Sequence, residues 1–239
     1  MKQSVSKQKH LPLRIMLGRI AAVLLAATVL LPVVYMVVNA FALEQNGGFL
    51  PVRFGFSGFY EVFLRRPDYL VKFWNSMLLS VVIVAGQAVV SCLAGYGFAR
   101  FRFPFKEIIY FAVIVMMLMP YQVTLVSNFI VVKALHLDNT YWAIFLPGIF
   151  SPFGVFLMRQ GFEAMPQELR EAAMLEGCKE LGILTKIAIP VCRGQLTALV
   201  LLCFVDSWNM VEQPLVFLKE TFRYPISVFL AQMDENRID

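Results

Sequence analysis

The sequence predicts an all-α polytopic membrane protein, and three observations carry that expectation. Of the 239 residues, 59% are hydrophobic and 15% charged, with a mean hydropathy of +0.69. Soluble domains run at about 45 to 50% apolar and about 25% charged, so water would leave apolar surface uncovered. Four stretches of 20 residues or more contain no Asp, Glu, Lys or Arg, and roughly 20 apolar residues cross the hydrocarbon of a bilayer. The Lys and Arg residues, finally, divide unevenly between alternate sides of these stretches.

Each span is bounded by charge, because a charged side chain at the bilayer centre costs about 2.5 to 3.5 kcal/mol on insertion scales. The first runs from Ile20 to Ala42, the second from Phe73 to Ala99, the third from Ile108 to Val132 and the fourth from Asn139 to Met158. The first follows Lys2, Lys7, Lys9 and Arg14, as a secretory signal would, but its 23 residues exceed the roughly 7 to 15 of a signal core and no small-residue cleavage site follows. It is read as a retained helix. A fifth span, Leu196 to Leu218, carries Asp206 and Glu212, and intramembrane acids face a bundle interior or a water-filled path. The closing run Ile226 to Met233 is too short to span.

Thirteen Lys and Arg lie on the side of the N-terminus and eight on the other, which places the N-terminus in the cytoplasm, residues 43–72 outside and the loop 159–193 inside. The net charge of +5 is then a matter of topology and of anionic lipid heads, and no nucleic-acid partner is expected. Pro120, and Pro147 and Pro152 with Gly148 and Gly154, sit where helices are expected to bend. Such breaks persist in lipid only where neighbours take up the freed backbone groups. They read either as plain bends in a bundle or as gating elements. Ser91 and Gly95 form a small-xxx-small pair that allows close helix contact.

Several chemistries are excluded. Cys92, Cys178, Cys192 and Cys203, with His10 and His136, have no spacing for a zinc site or a disulfide framework, and no catalytic or metal residues are assigned. No G-x-x-x-x-G-K-[ST] loop occurs, so the chain cannot cradle nucleotide phosphates in that way.

The inner loop is the most informative segment. Pro166 suits a helix start, Glu168 complements the positive end of the dipole, and Gly177 supplies the left-handed residue that ends a helix near Glu176. A second helical stretch from Lys179 meets Pro190. Ala172 and Ala173 would let another surface approach the backbone, while Glu171 and Glu176 offer carboxylates. The same segment also reads as an amphipathic helix lying on the membrane. Asp206, Asn209 and Glu212 read either as a solute path or as bridges between helices near the outer surface.

Glu171-Ala172-Ala173, then three residues, Gly177, nine residues and Ile187-x-Ile189-Pro190 resemble the EAA loop of importer-type ABC transporter permeases. Ile189, Glu176 and Cys178 depart from the usual Leu, Asp and Ala. Gly97 to Phe103, Met119-Pro120, Ser207-Trp208-Asn209 and Pro214-Leu215 extend the likeness to the smaller permease subunit of maltose-type carbohydrate importers.

The resemblance implies a type I ABC importer transmembrane domain over residues 71–239. Residues 1–70 then hold the tail, the first helix and an outer loop. It implies ATPase coupling through Glu171, Ala172, Ala173, Gly177, Ile187 and Pro190, with a second permease subunit, an ATP-binding cassette ATPase dimer that holds ATP and Mg, and an extracytoplasmic solute-binding protein as partners, in a bacterial plasma membrane. Members of the family end with a sixth span. Five are expected here, and both a C-terminal truncation and an outward tail fit. The expected cargo is a carbohydrate, with a polyol or glycerol phosphate as the alternative; a proton-driven carrier using Asp206 and Glu212 is a further rival.

Overall fold

The computed structural model describes residues 13–44, 51 and 53–235. His10, the first lysines and the last four residues, on which parts of the charge reading rest, lie outside the described residues. The chain forms two compact units, Met1–Pro67 and Asp68–Asp239.

In the first unit, α1 (Leu13–Ala40) is apolar on all sides, with Val23, Leu24 and Leu25 more than 60% exposed. A helix that is hydrophobic all round needs lipid or another helix against it. Strands β1 (Ala42–Glu44) and β2 (Arg53–Phe54) pair antiparallel, followed by α2 (Ser57–Tyr60) and a π-helical turn, Glu61–Arg65. The rings of Phe41, Phe56 and Phe59 cluster with centroids 5.1 to 6.3 Å apart.

The second unit is built on α3 (Asp68–Arg100), 33 residues long. After it come α4 (Lys106–Leu118), α5 (Tyr121–Ala134), α6 (Trp142–Gly148) and α7 (Pro152–Ala164). The loop segment holds α8 (Gln167–Leu175), α9 (Glu180–Ile183), a π-helical turn (Leu184–Ala188) and α10 (Ile189–Val191). Then follow α11 (Arg193–Trp208), α12 (Glu212–Phe217) and α13 (Ile226–Glu235). Three segments are long and apolar enough to cross a membrane: Ile15–Ala40, Asp68–Arg100 and Trp142–Ala164. Two bent pairs, α4 with α5 at 108° and Glu180–Val191 with α11 at 80°, bring the number to five if each is one span.

The breaks have chemical causes. Proline lacks an N–H and its ring clashes with the carbonyl four residues back. Pro120 caps α5 at the 108° bend. Pro152 opens α7, where the Ser151 hydroxyl caps the helix by accepting from the Gly154 N–H at 3.0 Å. The Gly148 carbonyl, which Pro152 frees, accepts from Gln87 Nε2 at 2.8 Å. Pro214 likewise frees the Met210 carbonyl, which the Ser227 hydroxyl takes at 2.6 Å. Neighbouring helices thus satisfy the opened backbone.

Two sequence boundaries are corrected by this. The fourth span begins at Trp142 and runs through Arg159 to Ala164, so Arg159 belongs to a helix rather than to the loop. It is 9% exposed, and its guanidinium carbon lies 3.6 Å from the centroid of the Tyr110 ring, between Glu163 and Glu107. An Arg can continue an apolar helix when a ring face and carboxylates replace its hydration. The fifth span, expected as Leu196 to Leu218, is not one helix: α11 stops at Trp208 and α12 starts at Glu212. The third, Ile108 to Val132, bends at Pro120 as expected, and the break divides it into α4 and α5.

Small residues let α3 and α7 touch. A Cβ on Gly95 would stand 2.8 Å from Met158 Cβ, and one on Gly154 would collide with the Ser91 hydroxyl. The close contact expected at Ser91 and Gly95 is therefore made against α7. Two apolar cores flank this seam. One gathers Cys92, Tyr96, Met158, Phe162, Ala173, Ile183 and Leu199, the other Leu79, Ile83, Ile144, Phe217 and Val228.

Candidate functional site

Two neighbourhoods within the second unit combine position and chemistry. The first is the loop. Helix α8 ends in a Schellman turn: Gly177 has φ +82°, its N–H donates to the Met174 carbonyl at 3.0 Å, and the Cys178 N–H donates to the Ala173 carbonyl at 2.9 Å. A left-handed residue favours glycine because it has no Cβ to clash. Glu171 and Ala172 are exposed, and Glu171 accepts from Gln167 Nε2 at 2.7 Å. Ala173 differs from the sequence expectation. It is 5% exposed and packs in the core with Met165, Ile183 and Leu184, so its small size lets α8 approach its own protein. Ile187 is half-buried against that core, and Pro190 is exposed beside the 80° bend. Leu175, Leu181 and Met174 are exposed at 90, 65 and 48%, uncovered apolar side chains on a loop otherwise rich in charge.

The loop is tied to α3 at its entry and again just after the Gly177 turn. Arg100 Nη2 donates to the carbonyls of Phe162 at 2.5 Å and Met165 at 2.6 Å, closing the end of α7. The Tyr96 hydroxyl donates to Glu180 Oε2 at 2.7 Å, and Arg170 of α8 donates to the other carboxylate oxygen of Glu180. This hydrogen bond to Glu180 holds the Arg170 guanidinium still further above its ordinary pKa.

The second neighbourhood is a cleft of about 910 Å³ at the helix breaks. Asp206, Asn209 and Glu212 all line it, together with Gln87, Gln122, Asn128 and Ser151. Gln122 Nε2 donates to the Glu212 carboxylate at 3.1 Å. Gln87 has its Nε2 committed to Gly148, while its buried Oε1 has no hydrogen-bond partner among the described residues. Tyr121, Phe150, Phe153 and several methionines supply apolar surface, and none of the lining residues is Lys or Arg. The break at Asn209 and Met210 is what turns the three polar residues into one wall. Sequence pattern does not single out Tyr96, Arg170 or Glu180, places Arg100 in the matched run Gly97 to Phe103 without giving it a role, and misses Gln87, whose standing as an amide inside an apolar run is the available signal. Among the described residues no cluster of His, Cys, Asp or Glu could hold a metal ion.

Broken apolar helices around a polar cleft, bound at one end to a capped helix-turn-helix, define a membrane transport subunit. The profile of the family described as "Binding-protein-dependent transport system inner membrane component" matches residues 87–234, and the chain belongs to that family. It is 30% identical over 234 residues to the arabinooligosaccharides transport system permease protein AraQ of Halalkalibacterium halodurans, covering 95% of this chain and 84% of that one. It is 34% identical over 184 residues to the lactose transport system permease protein LacG of Rhizobium radiobacter, covering 76% and 67%. In fold it is similar to a chain in the crystal structure of a bacterial ABC transporter involved in the import of the acidic polysaccharide alginate, with a TM-score of 0.79 and 24% identity, over 93% of this chain and 81% of that one.

Proposed function

We propose that this chain forms one half of the membrane pathway of an ATP-driven importer, that its cargo is a neutral carbohydrate, and that the ATP is hydrolysed by a separate subunit. The observation that carries the cargo reading is the cleft wall. Asp206, Asn209, Glu212 and the spare oxygen of Gln87 are acceptors for hydroxyl groups, the neighbouring aromatic and methionine surface suits the apolar faces of sugar rings, and two carboxylates without a cation repel phosphate or uronate. This favours a saccharide over glycerol phosphate. The relatives named for arabinooligosaccharides and lactose agree with a saccharide; the importer of acidic alginate shares the fold, so the neutral charge of the cargo rests on the cleft wall alone.

The energy enters at the loop. Exposed Glu171 offers a carboxylate to a basic group on the ATPase, Ala172 permits close approach, and Leu175, Leu181 and Met174 give the contact apolar area. The loop and the N-terminus both face the cytoplasm. A second permease subunit covers the open side of the cleft, and an extracytoplasmic binding protein delivers the solute at the opposite face. The test is uptake of labelled arabinotriose, lactose and glycerol 3-phosphate by cells carrying the importer. Neutral saccharide should enter only while ATP is present, and Asp206→Asn with Glu212→Gln should reduce entry at least tenfold. Uptake that persists in ATP-depleted vesicles and follows a proton gradient would overturn the reading.

A further inference from the structure

We infer that Tyr96, Glu180 and Arg170 are positioning residues that carry loop movement into the cleft through α3; the inference rests on the reading of the loop as the ATPase contact. The geometry is continuous. Arg170 belongs to α8, the helix that bears Glu171 and Ala172, and it holds one oxygen of the Glu180 carboxylate while Tyr96 of α3 holds the other at 2.7 Å. Four residues further along the same face of α3, Arg100 grips the carbonyls of Phe162 and Met165 at 2.5 and 2.6 Å, on the chain entering α8. One helix thus holds the loop both where it enters and just beyond its Gly177 turn.

In the other direction α3 reaches the cleft without a break. Gln87, nine residues before Tyr96, lies about 14 Å up the same helix. There it lines the cleft and holds the Gly148 carbonyl at the α6 to α7 break at 2.8 Å. α3 runs as one uninterrupted helix from Asp68 to Arg100 with no internal proline or π-bulge, two of the recognised causes of a kink, and Gly95 and Ser91 within it are braced against α7. Displacement of α8 is therefore delivered to the opening between α6 and α7, provided that the bonds from Glu180 hold. The other route out of the loop is interrupted by the π-helical turn Leu184–Ala188 directly after α9 and by the 80° bend before α11.

The sites are joined by contact, and only a measured coupling shows that contact transmits force. The complete importer, purified with its partner subunits and reconstituted in vesicles, is assayed for arabinotriose moved per ATP hydrolysed. Tyr96→Phe removes a single hydroxyl and Glu180→Gln a single charge. Each is expected to lower the ratio at least fivefold, and the double variant is expected to be no worse than Glu180→Gln, because both act on one bond network. An unchanged ratio, or losses that multiply in the double variant, would overturn the inference. If Glu180→Gln fails to insert, Tyr96→Phe alone decides, with the same fivefold threshold. Gly177→Val serves as the separate control: an unchanged ratio there refutes the loop reading itself, whereas uncoupling there with normal Tyr96→Phe and Glu180→Gln refutes only the α3 route.

Discussion

Gly95 of α3 lies so close to Arg159 of α7 that an added Cβ would stand 2.9 Å from the Arg159 backbone nitrogen. The opposing atoms are backbone and a Cβ of Met158, which cannot rotate away, so Gly95→Val must separate the two helices. Overpacking of this kind costs about 1 to 3 kcal/mol, and here it also pulls the Arg159 guanidinium from the Tyr110 ring. At Gly97, two residues on, an added Cβ would meet no atom within 4 Å. Gly97→Ala should therefore be neutral or stabilise by up to about 1 kcal/mol through helix propensity. Thermal unfolding of the detergent-solubilised protein reads both, and equal Tm values for the two variants would contradict the packing account.

The same pair shows what a linear sequence discloses. Charge-free length outlines the spans, and the spacing of Glu171, Gly177 and Pro190 marks the loop, because both depend on patterns within a few dozen residues. The small-xxx-small spacing of Ser91 and Gly95 announces a close contact but not its partner, since α7 lies some 60 residues away. Arg159 reads in sequence as a loop charge because Glu163, four residues on in its own helix, supplies only part of its compensation, and the rest, a Tyr110 ring face and Glu107, comes from another helix. Ala173 reads as part of an outward surface because nothing anchors the helical phase of α8 until Met165 and Ile183 pack against it. Asp206 and Glu212 are legible as inward acids, yet the cleft they line requires the helix break at Asn209.

Arg100 closes the end of α7 by donating to the Phe162 and Met165 carbonyls. The last carbonyls of a helix have no intrahelical partner, and a hydrogen bond to a charged donor contributes about 1.5 to 3 kcal/mol. Arg100→Ala should lose roughly that amount and loosen the entry to α8, whereas Arg100→Lys, with a point charge in place of the planar fork, should recover only part. Hydrogen exchange of the 162–170 amides is the direct measurement; unchanged protection in Arg100→Ala would show that the cap is dispensable.

Asp138 and Lys219 join two loops away from the cleft, with Nζ 3.2 Å from Oδ2. The hydrogen bond and charge of Lys219 hold the Asp138 carboxyl below its usual range. A carboxyl depressed in the folded state contributes stability above its unfolded pKa and loses it as the pH falls through the folded value. The link should therefore be intact at neutral pH and fail only in acid, below the ordinary carboxylate range. Both groups are solvent-exposed, so salt should weaken it. Lys219→Ala should return Asp138 to its normal titration, as read by carbon NMR of labelled aspartate; an unmoved titration would remove Lys219 as the cause.

Gly177 tests the loop without touching any side-chain contact. Its φ of +82° is the left-handed conformation, and nothing lies within 4 Å of a Cβ built there. A substitution therefore acts through backbone strain rather than collision, at a cost of about 1 to 3 kcal/mol. Asparagine tolerates this region, alanine less, and β-branched residues least. Straightening the turn would break the bonds from Gly177 to Met174 and from Cys178 to Ala173 and re-aim α8 relative to α9. The expected order of solute uptake is Gly177→Asn above Gly177→Ala above Gly177→Val, at similar amounts of protein in the membrane. The order matters more than any single loss, because a general folding defect would lower membrane content in step with uptake, whereas a misaimed loop lowers uptake alone. Equal uptake by Gly177→Val and Gly177→Asn would refute the left-handed turn as what aims the loop, and with it the reading of the loop as the ATPase contact.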